Sequence, residues 1–265
     1  MRSVAAKTWR EVRVLTFAYA IILELGLLAA VLMWPTLRTE AAAIGRMLPA
    51  EFLRRIADAI ASPSGDQAYR AYMAMQMFFK GTNVVGLAFA VLLGTGIVAR
   101  ERETQTLEFL LGRPIARSQI LLGKVLVIAA ALVVPIVLTS LSAIPLSWIV
   151  EEDLELDRVL GGSLHASAFA LVFLGATTLA SVGLRTQVHV ASAIGALIIL
   201  QVVVYFVQQI RVVSVFRLSD FDVYGPLLMG QSGFGALALG STVWLLLAAL
   251  LLHLIADRAF ARLEL

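Results

Sequence analysis

Six apolar runs, at residues 14–35, 75–99, 121–150, 164–184, 188–208 and 234–256, dominate the chain and decide what it can become. A helix rises about 1.5 Å per residue, so roughly twenty residues match a hydrocarbon core. Backbone surrounded by lipid must satisfy its own hydrogen bonds, which leaves helices as the fold. With 60% of the 265 residues hydrophobic, no soluble core could hide them. The expectation is one all-α integral membrane domain over 1–265 with six transmembrane helices.

Charge sets its direction. The segments before the first run, between runs two and three, between runs four and five, and after run six, counted with Lys124 at the start of run three, hold twelve basic residues against six acidic ones. The other segments, counted with Lys80 near the start of run two, hold nine basic and eleven acidic residues. Basic residues stay on the cytoplasmic side, so both termini are predicted to be cytoplasmic. The same scatter of basic residues at span ends, without interleaved aromatics, argues against a nucleic-acid partner.

Residues 1–13 set Arg2, Lys7, Arg10 and Arg13 around Val4, Trp9 and Val12, the pattern of an amphipathic helix lying on the bilayer. Span one is longer than a signal-peptide core and contains Glu24, although Ala41 to Ala43 imitate a cleavage site. Residues 36–74 read as an extracytoplasmic helical segment, with one helix starting at Pro49 and another capped by Asp66. Met73, Met75 and Met77 read as packing, and Lys80 with Gly81 as the membrane surface.

Five acids between Glu151 and Asp157 read as a solvated loop. Arg185 to Gln187 is too short a link for anything but an antiparallel hairpin of spans four and five. Small residues at Ala176, Ala180, Ala191, Ser192, Gly195 and Ala196 predict that this hairpin packs tightly. Residues 209–233 are too apolar for a free loop and are expected to dip back into the membrane.

Glu24 is the one acid near mid-bilayer, where a charge costs about 3 kcal/mol, so it needs a partner. Gln201 is one candidate partner, and Glu24, Gln201 and Tyr205 are candidates for a translocation path; structural hydrogen bonding is the competing reading. His165, His189 and His253 lie apart with no metal-ligand spacing, so no metal site and no catalytic residue is assigned. The chain has no cysteine, which removes thiol chemistry. Gly123-Lys124 is followed by Val125, so no phosphate-binding loop is present and the chain is not an ATPase.

The remaining stretch, 100–120, carries Arg100, Glu101, Arg102, Glu103, Glu108, Arg113 and Arg117 between two spans and must face water. Leu107, Leu110 and Leu111 share a helical face after Thr104 or Thr106, and Gly112 to Pro114 ends the element. On periodicity alone this is an amphipathic connector.

The pattern E-R-E-x-x-T-L-E-x-L-L-x-x-P, followed by a basic residue and by Gly123-Lys124, resembles the signature of type-2 ABC transporter permeases. The resemblance implies that 100–120 is a cytoplasmic coupling helix seated in a nucleotide-binding ATPase subunit. It would dock through Glu101, Arg102, Glu103, Thr106, Leu107, Glu108, Phe109, Arg113 and Pro114. It further implies an exporter in a bacterial or archaeal cytoplasmic membrane, working with a second permease chain, identical or not. ATP and magnesium would be bound by the partner and no cofactor by this chain. The family usually has glycine after the Ser or Thr, and Gln105 stands there, so local backbone geometry is expected to differ. Two other readings stay open: an ion-coupled secondary transporter using Glu24, and a membrane-embedded enzyme built on Glu151-Glu152.

Overall fold

The computed structural model describes residues 2–47, 65–112 and 115–263. Among these there is no strand, and six helical stretches are long and apolar enough to cross a membrane. The chain is an all-α integral membrane protein.

Span one is part of a single helix, α1 (Arg2–Met47), which runs without a break through residue 13. The separate interfacial helix expected at 1–13 is therefore not found. Val4, Thr8 and Val12 are buried, with Val4 against Ile120, so the amphipathic face is covered by protein. The helix expected from Pro49 lies outside the described residues.

Span two starts earlier than hydropathy suggests. It comprises α2 (Gly65–Met73), a π-helical stretch (Ala74–Gly86) and α3 (Leu87–Thr95). In the wide turns of that stretch the Thr82 hydroxyl reaches back five residues to the Met77 carbonyl. Met73 and Met77 are buried packing residues. Lys80 is exposed and lies thirteen residues after Gln67 and fifteen before Thr95 in this helical stretch.

Two short helices follow, α4 (Ala99–Glu103) and α5 (Leu107–Leu111). Span three is α6 (Arg117–Ser147), continuous through Pro135 and Pro145. Span four, α7 (Leu156–Gly183), is the central helix and packs against span two, α6 and span six. Small residues on both sides permit its contact with span two: a Cβ on Gly94 of α3 would sit 2.8 Å from a Thr177 methyl, and one on Gly162 of α7 would sit 2.6 Å from the Phe78 ring. Close approach by small residues thus joins spans two and four.

The hairpin of spans four and five is looser than expected. On α8 (Gln187–Phe206), Ser192 and Ala196 are exposed and a Cβ on Gly195 would meet nothing within 4 Å. Ser192 and Ala196 of α8 face away from the bundle.

Two short turns, Arg211–Val213 and Val215–Ser219, and helix α9 (Phe221–Leu228) make up the outer segment. It folds back onto span two and α7, burying Tyr224, Leu227 and Leu228, and Tyr224 stacks on Phe78 at 4.9 Å. His165 ties α7 to this segment through the Leu218 carbonyl and to span six through Thr242. Span six comprises α10 (Phe234–Leu237), a π turn (Ala238–Thr242) and α11 (Val243–Ala261).

Glu151, Asp153 and Asp157 of the acidic loop are exposed to solvent, whereas its other two acids are tied down. Glu152 is buried and accepts from Trp34 Nε1 at 2.9 Å, with Arg38 beside it. Glu155 pairs with Arg70 at 3.1 Å and Arg158 at 2.7 Å.

Candidate functional site

The break in helix between α3 and α4 places the coupling stretch, and its backbone groups are accounted for. Ser181 Oγ on α7 accepts from the backbone N–H of Val98 and of Ala99, both at 3.0 Å, and donates to the Thr95 carbonyl. Lys124 Nζ donates to the Ile97 carbonyl at 2.9 Å. Irregular backbone at such a depth is tolerated because protein groups replace the lost helical bonds.

Lys124 also reaches Glu101 Oε1 at 2.9 Å, and Lys7 of α1 meets the same oxygen at the same distance. The Thr106 hydroxyl donates to the other oxygen, so it anchors α5 through Glu101 and does not cap it. Glu101 is 4% exposed. Burial opposes its charge, but the hydrogen bonds from Thr106, Lys124 and Lys7, with the Lys124 charge, more than offset this and hold the carboxyl at about 2. The first Glu of the E-R-E motif and the Lys of Gly123-Lys124 are thus two halves of one buried clamp. That clamp joins α1, α4 and α6.

Between the clamp and α5, Gln105 has φ 54°. This left-handed backbone favours glycine, the residue usual at that place in the family that the motif resembles. The local geometry is glycine-like, and Gln105 bears its strain.

The remaining candidates divide into inward and outward sets. Arg102 donates to the Leu184 carbonyl at 3.0 Å and Glu103 accepts twice from Gln187, joining α4 to the link between spans four and five. Leu107 is 7% exposed and belongs to the main core. Glu101 and Leu107 therefore hold the element in place. Glu108 is exposed and Phe109 is 81% exposed. Arg113 and Pro114 lie outside the described residues.

A cleft of about 870 Å³ opens beside this helix, lined by Arg102, Glu103, Gln105, Leu107, Glu108 and Arg185 among others. Arg117 donates to the carbonyls of Ala261 and Leu263, and Ser118 to Asp257. The start of α1, the coupling stretch, the 184–186 link and the end of α11 thus meet at one end of the bundle. The acidic loop and the outer segment occupy the other.

The three path candidates are not brought together. Ser142 Oγ on span three lies 2.8 and 3.0 Å from the Glu24 carboxylate oxygens. Gln201 serves the outer segment, accepting from the Val215 N–H at 3.0 Å. Tyr205 is buried, donates to Asp220 and receives a hydrogen bond from Arg211 at 2.9 Å. Burial, with Asp222 close by, pushes the Asp220 carboxyl up despite Arg211 at 2.6 Å. None of these pairings is legible in the sequence, because the partners come from another span or from the folded segment that follows span five.

A family model described as "ABC-2 family transporter protein" matches residues 13–218. Compared with curated proteins, the chain gives no match.

Proposed function

The chain belongs to the ABC-2 family of transporter proteins and is a membrane subunit of such a transporter, and from that premise we propose that a separate nucleotide-binding ATPase subunit drives it. The observation that carries this reading is Phe109, 81% exposed on a short helix whose opposite side is anchored by buried Leu107. A large aromatic side chain left bare above a charged clamp suits a hot-spot contact for a partner. Phe109 and Glu108 are the docking pair, with Glu103 at the rim.

When ATP draws two such subunits together, the push on Phe109 enters α5. It passes through Leu107 and the Glu101–Lys124 pair into spans two and three. Only an element with different contacts in two states can couple hydrolysis to movement, and a clamped lever meets that need. The chain acts as an exporter paired with a second permease chain, with Glu24 facing the path.

The test is affinity purification of the tagged chain from gently solubilised native membranes. The account expects an ATPase subunit with the wild-type chain and its loss with Phe109→Asp at unchanged yield and folding. Equal recovery in both samples would remove Phe109 from the contact. No ATPase in either would favour ion coupling through Glu24.

A further inference from the structure

Spans one, two and three enclose a cavity of about 230 Å³ near the middle of all three helices. Its apolar wall includes Ile22, Leu27, Val85 and Ile136, and its polar wall includes Gln76, Lys80 and Thr139. Two of these polar groups are left over by the fold. Thr139 Oγ1 is fully buried without a hydrogen-bond partner. The Lys80 ammonium makes no ion pair and no hydrogen bond among the described residues, although it is exposed and borders the cavity. The acid nearest in sequence to this wall, Glu24, is engaged by Ser142.

An ammonium beside an apolar wall, with no counter-charge among the described residues, favours an anionic neighbour. A buried hydroxyl without a partner costs free energy until a ligand or water meets it. The π-helical stretch is what brings Lys80 here, since its wider turn changes which residues share a face, and such stretches recur at functional sites. The cavity is smaller than the roughly 300 Å³ at which pockets for drug-sized molecules begin. It fits a head group whose chain lies along the apolar wall.

We propose that this cavity binds the anionic head of an amphiphile, with Lys80 as counter-charge and Thr139 and Gln76 as hydrogen-bonding groups. The proposal rests on the transport reading only in making the occupant cargo; binding itself needs no ATPase.

The probe is radiolabelled dodecyl phosphate, bound to the full chain in phosphatidylcholine nanodiscs with empty discs subtracted. Saturable binding is expected, weakened about tenfold or more by Lys80→Gln and less by Thr139→Val, and kept by Lys80→Arg. Because Lys80 has no partner among the described residues, Lys80→Gln should leave thermal unfolding and the oligomeric state unchanged. Competition by phosphatidylglycerol in the disc would identify a membrane phospholipid as the source, and lack of competition a single-chain amphiphile. Either result supports the proposal. Equal binding by wild type and Lys80→Gln would overturn it, as would equal affinity for inorganic phosphate or dodecanol. A change of oligomeric state in Lys80→Gln would assign Lys80 to a contact between chains and overturn it as well. Loss of ATPase co-purification, in contrast, leaves this result untouched.

Discussion

The two ends of the bundle each bury a carboxylate, and they hold it differently. At the inner end Glu101 has two lysines and a hydroxyl, and its charged form is favoured. At the outer end Asp220 has one arginine, shares its surroundings with Asp222, and its charged form is disfavoured. Besides the Glu152 and Glu155 ion pairs of the acidic loop, that end is closed by neutral contacts: Tyr224 stacked on Phe78, the Ser219 hydroxyl on Asn83, and His165 on Thr242. The contrast suits two tasks. A lever must keep its shape under load, whereas a cap need only exclude water.

The largest effect should come from breaking the clamp. Glu101→Ala leaves Lys124 buried and without its counter-charge, which costs about 3–5 kcal/mol. Asp220→Asn keeps most of its hydrogen bonds and should cost about 1 kcal/mol. Thermal unfolding of the two variants checks the difference, and equal losses would erase the distinction between the ends.

Packing, unlike charge, should not distinguish them. Gly94→Ala near the inner end and Gly162→Ala near the outer end each force a methyl into a neighbouring side chain, costing about 1–3 kcal/mol apiece. A tenth of that cost at one position would mean that its neighbour moves aside freely.

Acid should separate the ends by sign. Glu101 is held below its ordinary 4.5, so its contribution is complete above that pH and is lost as the pH falls toward about 2. Asp220 is pushed above its ordinary 3.8, so its contribution is present at low pH and is lost as the pH rises through its raised value. A fluorophore on Phe109→Cys should therefore report loosening on acidification before one on Val212→Cys. The reverse order would contradict the assignment of charge states.

The smallest effect concerns Gln105. Replacing it with glycine relieves the left-handed strain and should stabilise the chain by about 0.5–1 kcal/mol. Destabilisation would show that its side chain holds the loop.

Hydropathy and charge made the six spans and the place of the coupling stretch legible, because each depends on composition within one segment. What depends on the neighbour was not legible. The motif marks both Glu101 and Lys124, yet only the fold joins them. Ser181 reads as one more small polar residue until it is found bridging a break 82 residues away in the chain. Lys80 reads as one isolated charge in an apolar run, because a hydropathy window cannot register the π-helical stretch that sets it beside a cavity. The small residues of α8 and α7 look alike in sequence, but only those of α7 meet a partner helix.

The chain has no cysteine, so single thiols can be placed at will. The most direct test puts a thiol-reactive photo-cross-linker on Phe109→Cys and, separately, on Trp148→Cys, an exposed position at the opposite end. Irradiated in native membranes, the account predicts an adduct with an ATP-binding protein from position 109 and none from 148. An adduct from both positions, or from 148 alone, would contradict it.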